Sequence, residues 1–406
     1  MPKFLQVVSV QEAVQTITSI ARPVSTETIP LEEAGGRVLA EDVTADLDIP
    51  GFTRSVMDGY AVIAAETSGA GEALPTILRC TGRVLMGEGT TAPIRRGECV
   101  YVPTGGMIPP GADAMVMIEY TEELGDQVLV QKPVAPGENL ILQGEDFKAG
   151  EQVLPGGTRL SPQDVGALAA VGRTRVEVYR RPLIGIISTG NEVVPVGTTP
   201  SGSQVRDVNS YLCRTVAESC GCRTRSYGIV RDEEEALAEV LNRAAVETDG
   251  VLISGGSSKD ARDHGATVIA RAGSVLVHGV ALAPGKPTII GKAGAVPVIG
   301  LPGHPASAYV VLMVLGIHLF GGLTGGGPRP SRVETAVLNV NIPSTRGRED
   351  YIRVSLDRDD GKKTVATPLF GKSGLLNTLV RSDGLIRIPA GAEGMEAGTP
   401  VEVLLW

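Results

Sequence analysis

The sequence predicts a multidomain protein of α/β and β class. A central doubly wound α/β domain is expected between an irregular, mainly-β N-terminal half and a small β-barrel-like C-terminal domain. Three observations carry this. From about residue 180 to 326, apolar strand-like runs alternate with helical stretches, the pattern of βα units on a parallel sheet. From about 25 to 178, short β-like runs are punctuated by Gly and Pro. After residue 327 short strands return. The divisions expected are therefore 1–178, with a small β domain at about 50–140 inside it, then 179–326 and 327–406.

Taken in order, Ser9 and Glu12 form a capping box for a helix from Val10 to Ile20. Thr76–Arg79, Cys99–Val102, Ala114–Ile118 and Gln127–Gln131 read as strands between turns at Gly87, Gly97, Gly105-Gly106 and Pro109-Pro110-Gly111. Ser161-Pro162 starts a helix that runs to about Ala170, with Pro at its first position. Leu183–Ser188 is a continuous apolar strand of the kind buried on both faces. A helix follows Asp207–Asn209 to about Ser219, then strand Arg223–Val230, a helix capped by Asp232 to about Glu247, and strand Val251–Ser254. Arg262–Arg271 reads as a helix, Thr288–Ile290 and Val296–Ile299 as strands, and Ala306–Phe320 as a helix. Thr324 to Pro328 reads as a linker. Arg332–Val340, Tyr351–Leu356, Leu385–Ile388 and Val401–Leu405 are the closing strands.

Composition excludes several classes. The chain has 406 residues, of which Gly (52) and Pro (27) make up about one in five, against a usual sum of about 12%. With 42% hydrophobic and 20% charged residues it has enough apolar surface to fold, so disorder is excluded. A net charge of −9 and only 3% aromatics argue against nucleic acid and anionic membranes as partners. Five cysteines without paired spacing read as reduced thiols, and Cys220-Gly221-Cys222 as structural. The apolar run Tyr309–Phe320 is shorter than the ~20 residues of a membrane span, and no secretion signal is evident, so a cytoplasmic protein is expected.

In an open α/β sheet, ligands bind beyond the carboxyl ends of the strands. The segments placed there are Thr189-Gly190-Asn191-Glu192, Arg231-Asp232, Gly255-Gly256-Ser257-Ser258 with Lys259 to Asp263, Pro284-Gly285-Lys286-Pro287, and Leu301-Pro302-Gly303-His304-Pro305. Glycine turns expose N–H groups, helix N-termini carry partial positive charge, and Lys286 adds a full one, all suited to phosphate. Glu192, Asp232 and Asp263 are oxygen ligands of the type Mg²⁺ takes. Taken singly, each feature has a plainer reading as a turn, a cap or a surface charge; their gathering on one rim favours a phosphate and metal site. No Walker or dinucleotide fingerprint is present.

These motifs resemble those of the MoeA family, the molybdopterin molybdenumtransferases, whose animal counterpart is the gephyrin E domain. The stretches that match are Ser55 to Ala61, Pro103-Thr104-Gly105-Gly106, Gly144-Glu145-Asp146, Ser188 to Glu192, Ser254 to Ser258, Pro284 to Pro287, Leu301 to Pro305 and Gly371-Lys372-Ser373-Gly374-Leu375. They occur in the family's order over essentially the whole chain.

The resemblance implies a step of molybdenum cofactor biosynthesis. Adenylylated molybdopterin and molybdate are the substrates, Mg²⁺ is required, the adenylyl pyrophosphate bond is cleaved, molybdenum is inserted and AMP leaves. It also implies a homodimer and an α/β domain like that of molybdopterin adenylyltransferase. That enzyme and molybdoenzyme apoproteins become candidate contacts. By motif match the catalytic set is Asp58, Thr104, Glu192, Asp232, Asp263 and Lys286, with Glu192, Asp232 and Asp263 on Mg²⁺. Thr189, Gly190, Ser254, Gly255, Gly256, Ser257, Gly285 and Gly303 are expected to hold the molybdopterin ligand, and Ser373 and Arg348 to join Lys286 on molybdate.

Two departures stand out. Ala283 occupies a position where many members carry a second basic residue, for which Lys259 or Arg262 is a candidate substitute. Lys259-Asp260 stands where valine-glycine is more usual. The rival readings are a tungstate-specialised paralogue, a non-catalytic molybdopterin-binding scaffold, and an adenylyltransferase acting one step earlier.

Overall fold

The structure, a computed structural model, describes residues 7–255, 264–329, 332–358 and 363–406. The first helix, α1 (Val10–Ile20), has both halves of the Ser9–Glu12 capping box. Strand β1 (Thr26–Pro30) follows. A six-stranded sheet comes next, built from β2 (Gly59–Val62), β3 (Thr76–Arg83), β4 (Glu98–Val102), β5 (Ala114–Met117), β6 (Thr121–Leu124) and β7 (Gln127–Val130), in the order β5-β2-β4-β3-β7-β6. Tyr60, Leu78, Cys99, Val116 and Val128 fill its core. Helix α2 (Pro162–Ala170) starts at Ser161-Pro162 and ends before Gly172, as the capping signals predict. Strand β8 (Arg175–Tyr179) then returns to pair antiparallel with β1, Thr26 opposite Tyr179.

The central domain contains β9 (Leu183–Thr189), α3 (Asn209–Ser219), β10 (Arg223–Val230), α4 (Glu234–Glu247), β11 (Gly250–Ser254), α5 (His264–Ala272), β12 (Gly273–His278), the short β13 (Leu282–Ala283), β14 (Ile289–Ala293), β15 (Val296–Leu301) and α6 (Pro305–Thr324). Its sheet order is β10-β9-β11-β15-β14-β12. The first four strands are parallel. The last two complete an antiparallel edge.

The sheet is covered on both faces, and the period-2 alternation of the strands assigns each side chain to one of them. Ile184, Ile186 and Leu252 face a core shared with α1, α3 and α6. Ile187, Val251 and Ile253 face α4 and α5. This is the doubly wound arrangement that the alternating pattern predicts. Strand β12 is absent from the sequence reading, because Gly273–His278 follows α5 without a turn signal between them.

Three further expectations are corrected. Asp232 does not cap α4: the N-cap is Glu233, without a side-chain cap bond. Thr324 to Pro328 is not a loose linker. Gly325 closes α6 in a left-handed C-cap, and a side chain there would strike Tyr179, as one at Gly326 would strike Val38. Finally, α6 is long and apolar enough to cross a membrane, with a π-helical turn at Leu312–Gly316 inside it, so the short-run argument does not hold. Burial decides instead: 72% of its most apolar window lies inside the fold. Gly322 of α6 admits α1, since a Cβ there would lie 2.6 Å from that of Ala21. Cys213, Cys220 and Cys222 are buried thiols of the same core, each pushed up from its ordinary pKa mainly by desolvation.

The C-terminal domain comprises β16 (Val333–Leu338), β17 (Glu349–Asp357), β18 (Val365–Pro368), β19 (Gly384–Ile388) and β20 (Pro400–Leu405). The order β17-β18-β16-β20-β19 returns to β17, so the five strands close a barrel. Closure leaves no edge within the ring. The central domain is tied to it by β13, which pairs parallel with β17, Leu282 opposite Glu349 and Ala283 opposite Asp350.

Candidate functional site

Three parallel strands end level with one another. Ser188 of β9 is opposite Ser254 of β11, and Ser254 is opposite Leu301 of β15. Each end runs into a glycine turn: Gly190, Gly255 and Gly303. Gly255 has φ +113°, and a Cβ there would fall inside the carbonyl oxygen of Thr189. Glycine is therefore required by both conformation and space, and the backbone of the turn lies open to a ligand. The N-termini of α3 and α6 meet the same rim and bring partial positive charge.

Facing the rim is a cleft of about 1190 Å³, walled on its far side by the C-terminal domain. The structure brings Thr189, Glu192, Ser254, Gly255, Gly285, Lys286 and Gly303 to this cleft from the central domain, and Arg348 and Ser373 from the barrel. Gly190 lies behind Glu192, whose carboxylate folds back over it. Asp232 stands one layer further out, its Oδ1 3.5 Å from Thr189 Oγ1. Gly256, Ser257 and Asp263 lie outside the described residues, as do Lys259 and Arg262.

Lys286 is placed by packing. A Cβ at Gly285 (φ +138°) would lie 2.7 Å from Val311 and 2.9 Å from Leu282, so the loop is pressed onto α6. Thr288 Oγ1 donates to the Gly285 carbonyl at 2.6 Å, and β13 anchors the loop to the barrel. No carboxylate pairs with Lys286 among the described residues. Arg348 Nε lies 2.8 Å from Oδ1 of the buried Asp350, close enough for an ion pair but not aligned as a hydrogen bond. Ser344 Oγ donates to the other oxygen of Asp350 at 2.7 Å. Ser373 Oγ lies 2.8 Å from His304 Nδ1, and Ala306 N–H donates to the Ser373 carbonyl, so the barrel loop is held against the start of α6.

Asp58 and Thr104 sit together but elsewhere. They lie in the N-terminal β domain, exposed, and neither lines the cleft of its own chain. Thr104 donates to Asp58 Oδ1 from its N–H at 2.7 Å and from its hydroxyl at 3.0 Å. The backbone bond, then the hydroxyl bond, holds the carboxyl of Asp58 below its ordinary pKa.

Sequence reasoning missed Asp207, Asn209 and Arg346 as cleft residues, and His304 reaches the cleft with the rim segment that the sequence placed there. Asp207 accepts from Ser188 Oγ at 2.7 Å and from Ser210 N–H at 3.1 Å. Asn209 Nδ2 donates to Ser254 Oγ at 2.8 Å and to the Gly303 carbonyl at 2.9 Å. For Asp207 and Asn209 the available signal was their place at the start of a helix that packs along the strand ends; Arg346, in a loop of the C-terminal domain, had none.

Among the described residues no cluster of three His, Cys, Asp or Glu surrounds a metal position. Glu192 and Asp232 nevertheless flank the Thr189-Gly190 turn with carboxylate oxygens. Mg²⁺ takes one or two such ligands and keeps the rest as water and substrate oxygen. The donor set therefore fits that ion.

The fold and site define a multidomain α/β protein whose central-domain cleft is walled by a second domain. Comparison with known proteins makes this specific. Residues 8–172 match the model of the MoeA N-terminal region (domain I and II), 185–320 that of a probable molybdopterin binding domain, and 335–406 that of the MoeA C-terminal region (domain IV). Molybdopterin molybdenumtransferase 2 of Mycobacterium tuberculosis is 32% identical, over 97% of this chain and 98% of the relative. The molybdopterin molybdenumtransferase of Staphylococcus aureus is 28% identical, over 98% and 95%. A crystal structure of a molybdopterin biosynthesis MoeA protein from Pyrococcus horikoshii superposes with TM-score 0.86 at 32% identity, covering 99% of this chain and 100% of that one. The chain belongs to the MoeA family of molybdopterin molybdenumtransferases, enzymes of molybdenum cofactor biosynthesis.

Proposed function

We propose that this chain inserts molybdenum from molybdate into adenylylated molybdopterin, cleaving the adenylyl pyrophosphate bond and releasing AMP. One observation carries the reading: a single cleft collects level strand-end turns, Lys286, which pairs with no carboxylate among the described residues, and Arg348 and Ser373 from the barrel. The ligand concentrates negative charge on a pyrophosphate, a dithiolene and an oxyanion, and each of these finds donors there. The turns at Gly255 and Gly303, with the helix N-termini, receive the pyrophosphate. Fixed N–H donors and dipoles need no reorganisation as charge develops during cleavage. Lys286, Arg348 and Ser373 hold molybdate, which is substrate here. Gly285 brings the Lys286 loop against α6 and so sets the depth of that charge.

Glu192 and Asp232, with Asp263, would hold Mg²⁺, which when bound neutralises charge on the leaving phosphate. Asp58 and Thr104 are assigned to the site through a second copy of the chain. Their distance from their own cleft supports a homodimer in which the N-terminal β domain of one subunit completes the cleft of the other. The protein acts in the cytoplasm.

The test is turnover by the purified chain: adenylylated molybdopterin, Mg²⁺ and molybdate, with AMP measured. AMP release that requires the oxyanion is expected. Failure to release AMP overturns the reading, and a parallel arm with tungstate fixes the preferred metal.

A further inference from the structure

The cleft hydroxyls differ in what their protons do. Ser188 Oγ donates to Asp207 at 2.7 Å, and Thr189 Oγ1 is directed at Asp232 Oδ1. Both face carboxylates, which only accept; the proton of Ser188 is spent inside the protein, and that of Thr189 meets its carboxylate across a long 3.5 Å. Ser254 is the reverse case. Its Oγ accepts from Asn209 Nδ2 at 2.8 Å, and no acceptor takes its own proton among the described residues.

The direction of that bond is fixed by a neighbour. The same Nδ2 reaches the Gly303 carbonyl at 2.9 Å, an oxygen that can only accept, so the amide nitrogen must stand on that side. This orientation is kept although it leaves Asn209 Oδ1 buried with no donor among the described residues. A flipped amide would set oxygen against oxygen at Gly303. Asn209 and Ser254 are 7% and 4% exposed, both line the cleft, and Ser254 is followed at once by the open turn at Gly255.

We infer that Asn209 is a positioning residue: it locks the lone-pair side of Ser254 and turns the serine proton outward as a donor to a phosphoryl oxygen of the bound pyrophosphate. This rests on the proposed function and adds to it the polarity of one ligand contact. The amide also ties the ends of β11 and β15 together, so the donor stays level with the Gly255 and Gly303 turns when the cleft fills.

The test uses the full chain and inorganic pyrophosphate as the probe, titrated by calorimetry at fixed ionic strength. Ser254→Ala and Asn209→Asp are each expected to weaken binding roughly 10- to 100-fold, the worth of a hydrogen bond to a charged group. Asn209→Asp reverses the polarity, because a carboxylate takes the serine proton. The double variant should bind no worse than the weaker single one, whereas two independent structural losses add. Ser254→Thr keeps the hydroxyl and should stay within about threefold of wild type. Wild-type affinity in Asn209→Asp, or additive losses, overturns the inference. If Asn209→Asp does not fold, Asn209→Ala carries the same expectation. A wild-type chain that binds no pyrophosphate overturns the inference as well. A wild-type chain that binds pyrophosphate but releases no AMP overturns only the proposed reaction.

Discussion

At the rim of the α/β domain, polar groups are placed by backbone packing; at Asp58 in the N-terminal β domain, they are placed by one neighbouring residue. Gly255 lies against the Thr189 carbonyl, Gly285 against Val311, and the Lys286 loop is stitched to the barrel through β13. Asp58 depends on two hydrogen bonds from Thr104 and is exposed. A packed rim is expensive to alter but needs no partner to hold its shape. An exposed corner tolerates change but acts only when something is brought to it. Under the proposed function, the difference accounts for a pocket held within one chain and a corner supplied to it by a second copy.

The largest expected effect tests the packed side. Gly255→Ala places a methyl inside a carbonyl oxygen at a φ that L-residues avoid, and should cost more than about 3 kcal/mol. Thermal unfolding measures it, and a loss under about 1 kcal/mol would show the rim to be plastic. Next comes Lys286→Ala, which removes a cation that no carboxylate balances among the described residues. The KM for molybdate should rise at least tenfold while the unfolding temperature stays near wild type. An unchanged KM would remove Lys286 from the oxyanion pocket.

On the exposed side, Asp58→Ala should leave the unfolding of the central domain unchanged and sharply lower AMP release. Normal turnover would detach this corner from the site. The pH dependence has a definite sign. The folded pKa of Asp58 is depressed, so its bonds from Thr104 are intact above the ordinary value of 3.8 and are lost as pH falls through the lower folded pKa. The Thr104 amide shift followed by NMR should titrate with a midpoint below 3.8, and a midpoint above it contradicts the geometry.

The smallest effect is a control. Gly150→Ala, in the N-terminal half, meets no atom and carries only the strain of φ +86°, about 1 kcal/mol. A loss as large as that at Gly255 would mean that conformation alone, without close approach, governs both sites.

Much of the central domain was legible in the sequence. Leu183–Ser188 and Val251–Ser254 are apolar without interruption because helices cover both faces, and Ser161-Pro162 and Ser9 to Glu12 mark helix starts through their own side chains. Gly273–His278 was not legible, since its strand state comes from pairing with Ile289–Ala293 rather than from any local pattern. Asp232 has the composition of a cap, but the chain enters α4 one residue later. Asp207 and Asn209 look like an ordinary helix start; their contacts with Ser188, Ser254 and Gly303 span 19, 45 and 94 residues of chain.

By itself the sequence determined most of the order of elements, the rim on which glycines, Lys286 and carboxylates gather, and the family. These follow from periodicity, capping and short motifs, all of which act over a few residues. Only the tertiary structure decided that β13 ties the Lys286 loop to the barrel that carries Arg348 and Ser373, that Thr324 to Pro328 is packed against β8, and that Asp58 and Thr104 stand apart from their own cleft. Those are long-range facts. The pairing of β13 with β17 and the closing of the barrel set the first of them, and neither leaves a local trace, because a ladder partner is chosen by the folded surroundings and not by the strand alone.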